Sequence, residues 1–464
     1  MDALVETLTP QLGAKGVMTG DAVAQRSAGI WRSDTIAAPV IFRPSNTAEV
    51  AAVLRACHDA RQTVVTHGGL TGLVEGAIAT PADVVLSTER LDEIESVDAL
   101  DRSMLLQAGV KLQHAQERAT AEGLMLPLDM GARGSCTVGG NAATNAGGNR
   151  VIRYGMSRDV ILGLEAVLAD GTVISSLNTM LKNNAGYDLK QLFIGSEGTL
   201  GVITRLVLRL RPAWRSQETA LLACHDFTKV CSLLHHLDAS LGGTLSAFEV
   251  MWQDFYALVA AAHDRPPLPI DFPFYVLVEA LGGNDEEDRQ RFLHAIEAAV
   301  TQELVIDAVI CKSGAEREVL WAMRDNVEKT LEHGPARVFD VSLRLSAMDA
   351  YVKNVLLRLD SAVPGHRTWV FGHAGDGNLH LVCAAGDGGS VEREKIERAV
   401  YAPLQDVGGS ISGEHGIGLE KKPWLSVSRS ADEISLMRQL KVALDPRGIL
   451  NPGRVFDVPK PLEV

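Results

Sequence analysis

A chain of 464 residues is too long for one ordinary core and implies two or three domains. Its formal charge of −14 excludes the basic face that nucleic acid or an anionic membrane requires, so an acidic ligand would need a local cationic pocket. The six cysteines (Cys57, Cys136, Cys224, Cys231, Cys311, Cys383) form no CxxC pair, which points to reduced thiols and excludes a CxxC-type iron–sulfur cluster within the chain.

The N-terminus shows no basic leader with an apolar core and cleavage site, and no apolar run approaches the roughly 18 residues of a membrane span. A cytoplasmic location is therefore expected. After about 40 residues of helical lead-in, "VIFRPSNTAEVAAVLRACHDARQTVVTHGGLTGLVEG" predicts a strand and a helix over 47–61 with Thr47 as N-cap. The strand "TVVT", a glycine loop and the strand "DVVLST" follow, as in a small α/β layer. Residues 130–204 hold "MGARGSCTVGGNAATNAGGN" and "NNAGYDLKQLFIGSEGTLGVITRLVLRL". So many glycines among apolar residues indicate backbone packed against something large and flat, not a disordered linker. From about 215 to 420, β-rich stretches such as "PFYVLVEAL" alternate with charged amphipathic helices such as "NDEEDRQRFLHAIEAAVTQ", the pattern of an α+β domain. A last helix, "ADEISLMRQLKVALD", precedes the turn-rich "PRGILNPGRVF".

The loop "HGGLTGLVEG" (67–76) lacks the GK[ST] ending of a P-loop and does not spell GxGxxG. It can be a plain tight loop, or it can offer successive backbone N–H groups to a pyrophosphate. The motifs "RPSNTAEV", "HGGLTGLVEG", "GSCTVGGNAATNAGGNRVIRYG", "GSEGTLGVIT", "FGHAGDGNLHL", "GEHGIGLEKK" and "DPRGILNPGRV", in that order over residues 40–456, resemble the FAD-linked D-2-hydroxyacid dehydrogenases of the vanillyl-alcohol-oxidase superfamily.

The resemblance implies an α+β chain. A two-subdomain FAD-binding domain would occupy 1–214, a substrate-binding cap with an antiparallel sheet and a metal site 215–425, and a helical segment returning to the flavin 426–464. Gly68, Gly69, Thr71, Gly72 and Leu73 would wrap the FAD pyrophosphate, while Ser135, Thr137, Gly139, Gly140, Asn141, Asn145 and Gly147 would line the nucleotide and the isoalloxazine edge. Gly198, Thr199, Gly201 and Ile203 would pack on the adenine side, and Asn451 would approach the flavin ring. Relatives that bind flavin covalently often use a histidine just after the paired glycines; this chain has Leu70 there, so non-covalent FAD is expected.

"FGHAGDGNLHL" (371–381) is not helical, because Gly375, Asp376, Gly377 and Asn378 are turn formers. As a hairpin with a four-residue GDGN loop it would pair Ala374 with Leu379 and His373 with His380, with Cβ atoms about 5 Å apart. His380 stands where a dinucleotide fingerprint needs its last glycine, leaving packed histidines or half of a metal site. Glu414 in "GGSISGEHGIG" would complete a His2Glu set with an open fourth position, a zinc arrangement that manganese or iron would also accept. The family places its divalent metal on these positions and uses the histidine of GEHG, here His415, as base. Asn378 would be a further polar contact to substrate or metal-bound water, and Asp376 either a carboxylate supporting the metal ligands or, the favoured reading, a turn residue.

Arg324 in "LWAMRDNVEKT" is either a surface arginine or a carboxylate clamp; the family's WxxR context implies the clamp. The 2-hydroxyglutarate branch would carry a hydroxyl residue and a lysine where this chain has Glu328 and Val338. Either Arg337 or Arg344 compensates, or the substrate is a shorter, lactate-like acid. The expected activity is oxidation of a small D-2-hydroxy acid with hydride transfer to FAD. Electrons would pass to an external acceptor: electron-transfer flavoprotein, cytochrome or quinone. A flavin oxidase using oxygen and a non-catalytic FAD-binding subunit are the alternatives, and a homodimer is compatible with either.

Overall fold

A computed structural model describes residues 1–30, 32–262, 264–386 and 388–458. The chain forms two compact units, one built from Met1–Gly148, Gly155–Ala213 and Glu414–Val464, the other from Asn149–Tyr154 and Trp214–Gly413. The chain thus passes from one unit to the other four times. Residues 149–154, placed by sequence with the FAD-binding region, pack with the second unit; 414–425, placed with the cap, pack with the first.

In the first unit a four-stranded sheet runs in the order Val17–Thr19, Val40–Phe42, Val84–Ser87, Val64–His67. The last three are parallel, and their Val- and Ile-rich residues are almost all buried, as a sheet covered on both faces requires. Helix Thr47–Asp59 buries Val50, Val53, Leu54 and Cys57, the i, i+3, i+4, i+7 stripe of an amphipathic helix. Its N-cap is Asn46, not Thr47: Asn46 is extended (φ −156°) and its side chain accepts the Glu49 N–H. Thr47, already helical, gives its hydroxyl to Glu165 at 2.6 Å. The helical lead-in is shorter than expected; helix Asp2–Leu12 ends at Gly13, and strand Val17–Thr19 follows.

A second sheet is wholly antiparallel, in the order Ile94–Asp98, Ser103–Gln107, Val202–Arg209, Ile161–Val167, Val173–Ser176. The C-terminal segment is tied into this unit by a buried lysine. Lys441, on helix Ala431–Leu444, donates to Thr199 O and Leu450 O at 2.8 Å and pairs with Asp445. Beyond the helix, Val64 N–H donates to Ile449 O and Asn451 N–H to Val64 O, so the chain end runs beside strand Val64–His67.

The second unit is built on a seven-stranded antiparallel sheet in the order Asp307–Ile310, Ser216–Cys224, Phe274–Gly282, Leu245–Trp252, Arg367–Gly372, Asn378–Ala384, Ala336–Ser342. Side chains alternate between faces, so register decides which residues share one. Glu249 stands opposite Leu277, Met251 opposite Phe371, Phe371 opposite His380, and His380 opposite Asp340. One face therefore carries a polar group, Glu249, Glu279, His380 and Asp340, beside an apolar cluster of Met251, Tyr275, Leu277, Trp369, Phe371 and Val382. Helices Gln253–Ala260 and Gly314–Asp325 cover that cluster with Phe255, Tyr256, Leu320 and Met323.

Candidate active site

The first unit encloses a cavity of about 560 Å³ lined chiefly by its glycine loops. Gly68, Gly69, Thr71, Gly72, Leu73, Thr137, Gly139, Gly140, Asn141, Gly147, Gly198, Gly201, Ile203 and Asn451 all line it. Ser135, Asn145 and Thr199 lie outside the lining and serve the backbone: Ser135 O accepts from Lys111 Nζ, Asn145 Oδ1 accepts the Arg158 N–H, and Thr199 O accepts from Lys441. At Gly69 the loops meet with no room for a side chain. A Cβ on Gly69 would sit 2.3 Å from Ser135 O and 2.7 Å from Cys136 Cα, whereas one on Gly72 would meet nothing within 4 Å.

This donor set suits a large, flat, phosphate-bearing cofactor. Backbone forms the walls, and the buried Thr66 Oγ1 on the cavity wall has no partner among the described residues. Asn451 is oriented by two bonds, its Oδ1 accepting Thr66 N–H and its amide donating to Glu197 O. His67 is buried just before the loop with Nε2 2.8 Å from Ala77 O, and burial depresses its pKa to about 4.

Glu414 and His415 line the same cavity. Glu414 Oε1 accepts the Gly148 N–H at 2.7 Å, beside the glycine stretch. The loop carrying both is anchored by Glu197, whose two carboxylate oxygens accept the N–H groups of Ile417 and Gly418 at 2.7 and 2.8 Å. Burial raises the Glu197 pKa against the pull of these two donors. Sequence reading passed over Glu197 because its role depends on partners some 220 positions away; the signal was a charged residue between the glycines of "GSEGTLG", and its φ of +53° is one few non-glycine residues adopt.

In the second unit the histidine turn departs from the expected register. Phe371, not His373, stands opposite His380, because the turn closes on the His373 carbonyl, which accepts the N–H groups of Asp376 and Asn378. His373 therefore sits in the turn. The rings still meet, centroids 5.3 Å apart and nearly perpendicular, with a nitrogen of one within 4.8 Å of a nitrogen of the other. Both are buried.

His373 Nδ1 lies 2.7 Å from Glu249 Oε1. Arg324, in the last turn of helix Gly314–Asp325, donates from Nε and Nη2 to Glu249 Oε2 at 2.9 and 2.8 Å, and its guanidinium lies over the Phe371 ring. Arg324 is thus buried, and Glu249 takes one edge of its guanidinium. Burial works against the Glu249 carboxylate, but His373 and Arg324 outweigh it and hold its pKa at about 2. Asn378 donates its amide to Asp340 Oδ1 and Val341 O, leaving its buried Oδ1 without a partner among the described residues. Asp340 Oδ2 in turn accepts from Ser412 Oγ and the Gly413 N–H, fixing the chain immediately before Glu414. Two imidazoles with nitrogens within 4.8 Å of each other, one oriented by a carboxylate, are donors that fit a divalent metal.

A second polar knot lies on the same sheet face. Glu279, fully buried, accepts from Arg150 Nε (3.0 Å), Gln217 Nε2 (2.7 Å) and Trp321 Nε1 (3.2 Å). Arg153 reaches Thr244 O and Leu281 O, and a Cβ on Gly375 of the histidine turn would press on Ile152.

Residues 214–455 match the family model described as "FAD linked oxidases, C-terminal domain", and residues 38–176 match "FAD binding domain". The chain is 40% identical over 420 residues to a mitochondrial D-2-hydroxyglutarate dehydrogenase of Bos taurus, covering 90% of this chain and 76% of that one. It is 39% identical over 422 residues to a D-2-hydroxyglutarate dehydrogenase of Xanthomonas citri pv. viticola, covering 90% and 89%. Among solved structures it superposes on a 4-ethylphenol oxidase from Gulosibacter chungangensis with a TM-score of 0.75 at 16% identity, over 99% of this chain and 97% of that one, a likeness of fold. No helix among the described residues is long and apolar enough to cross a membrane.

Proposed function

The chain belongs to the FAD-linked oxidases, the family that includes the D-2-hydroxyglutarate dehydrogenases, and from that membership we propose that it oxidises a small D-2-hydroxy acid to the 2-oxo acid. The observation that carries the reading is His415 on the wall of the glycine-lined cavity, a proton acceptor beside the place where a flavin fits. Bound FAD would supply the hydride acceptor. A divalent ion, Zn²⁺ ahead of Mn²⁺ or Fe²⁺, would supply Lewis acidity to a hydroxyl and carboxylate.

His373, His380 and Glu414 would hold that ion. Neutral His415 takes the hydroxyl proton, a transfer imidazole can make near pH 7. Arg324 offers its cationic charge to the substrate carboxylate. Asn378 offers its unpaired Oδ1 as an acceptor for the substrate hydroxyl or for metal-bound water. Glu328 would repel a second carboxylate, and Val338 brings no charge to answer one. We therefore place the preference with short, lactate-like acids over D-2-hydroxyglutarate. Electrons leave to an external acceptor: an electron-transfer flavoprotein, a cytochrome or a quinone.

The test is anaerobic mixing of the FAD-loaded, Zn²⁺- or Mn²⁺-supplemented protein with D- and L-2-hydroxy acids while following oxidised-flavin absorbance. Bleaching by D-acids is expected, fastest with short ones; if no 2-hydroxy acid bleaches the flavin, the assignment fails. His373→Ala should lose metal and turnover while keeping FAD, and retained turnover would exclude the metal role.

A further inference from the structure

Glu249 is used by no step above, yet it touches two groups the proposed reaction needs. It lies on the central part of strand Leu245–Trp252, 1% exposed, with Oε1 facing His373 Nδ1 and Oε2 bridged by Arg324 Nε and Nη2. A third contact closes the triangle: Arg324 Nη2 lies 3.4 Å from His373 Nε2.

The proton on the His373 ring follows from these contacts. A guanidinium has only donors, so the ring nitrogen facing it presents a lone pair. A carboxylate has only acceptors, so the nitrogen facing Glu249 carries the hydrogen. Both neighbours select the same tautomer, with Nδ1 protonated and Nε2 bearing the electron pair, which a metal ion would take in place of the Arg324 N–H. The carboxylate also polarises the Nδ1–H bond and makes Nε2 more basic. Its charge offsets that of Arg324, allowing a cationic side chain to be buried beside a site for a second cation.

We propose that Glu249 is a positioning residue that fixes the His373 tautomer for metal binding and orients Arg324 toward the substrate carboxylate. The inference rests on the reading of His373 as a metal ligand. Glutamine cannot replace it. An amide oxygen can accept the His373 Nδ1–H only by turning its NH2 toward the donors of Arg324, and the reverse orientation drives the ring to the tautomer that cannot ligate through Nε2.

The experiment is Zn²⁺ affinity of the FAD-loaded protein by chelator competition, with FAD content and steady-state constants measured alongside. Glu249→Gln should weaken Zn²⁺ binding by 10- to 100-fold, the range for loss of such a partner, with FAD content unchanged. With Zn²⁺ restored in excess, KM for the 2-hydroxy acid should remain raised, because Arg324 loses the carboxylate that accepts from its Nε and Nη2. Glu279→Gln, which removes another fully buried carboxylate from the same sheet face, should keep wild-type Zn²⁺ affinity. Should Glu249→Gln fold poorly, Glu249→Leu/Arg324→Met, which buries no unpaired charge and leaves the His373 Nδ1–H no acceptor at position 249, should show a comparable loss of affinity. Equal Zn²⁺ affinity in wild type and the Glu249 variants, or an equal loss in Glu279→Gln, overturns the inference while leaving the metal reading standing. A wild-type protein that takes up no Zn²⁺ or Mn²⁺ overturns both.

Discussion

Two glycines three residues apart in the same loop should fail in different ways when changed to alanine. A methyl on Gly69 would lie 2.3 Å from Ser135 O and 2.7 Å from Cys136 Cα, both backbone atoms that can yield only if two loops separate. Overpacking of this kind costs about 1–3 kcal/mol. For a unit of this size, 2 kcal/mol corresponds to a fall in Tm of roughly 4–8 °C. A methyl on Gly72 meets nothing within 4 Å, and Gly72 has no positive φ, so Gly72→Ala carries no strain and gains up to about 1 kcal/mol from a stiffer unfolded chain. The added methyl is nevertheless on a cavity-lining residue, where it competes with the cofactor. Differential scanning fluorimetry on flavin-stripped protein should show a lowered Tm for Gly69→Ala and an unchanged or slightly raised one for Gly72→Ala. Fluorescence titration with FAD should show weakened binding in both. If Gly72→Ala destabilises the stripped protein as much as Gly69→Ala, or binds FAD like wild type, the distinction between a packing glycine and a cofactor glycine is wrong.

His67, neutral and buried with a pKa near 4, binds fewer protons folded than unfolded between that value and its ordinary 6.5. Its contribution to stability is complete above pH 6.5 and is lost as pH falls toward 4; the loss should reach roughly 2 kcal/mol by pH 5. Urea unfolding at pH 7 and pH 5 checks this, and His67→Gln should remove that part of the pH dependence; an unchanged dependence would refute it. Arg150→Ala should cost about 3–5 kcal/mol, because Glu279 loses its ion-pair partner in a fully buried position. Adding Glu279→Gln should recover most of that loss in the same denaturation assay, and failure to recover would show that Arg150 acts through something other than Glu279.

The parts of this protein legible in its sequence are those whose chemistry is local. Paired glycines, a strand with every residue buried, an amphipathic stripe and a histidine turn each announce themselves within about a dozen residues. All eight glycines assigned to the cofactor line one cavity, with Glu414 and His415 on its wall. What escaped depends on register and distance. The pairing of Phe371 with His380 was decided by where the turn's N–H groups found an acceptor, which alternation cannot specify. The Asn46 cap differs from Thr47 by one residue's φ. Glu249 and Glu197 looked like ordinary carboxylates in a strand and a loop, since their partners lie 75 to 220 positions away.

Residues 149–154 set a condition on anyone cutting or recombining this chain. The match to the C-terminal family model begins at residue 214, yet Arg150 satisfies a carboxylate inside the sheet that follows, Arg153 satisfies two of its carbonyls, and Ile152 packs on the histidine turn. A fragment beginning at 214 would leave Glu279 without the Arg150 guanidinium. A chimaera that exchanges substrate units between relatives should carry this hexapeptide with the sheet it serves, although some sixty residues of the other unit separate them in the gene.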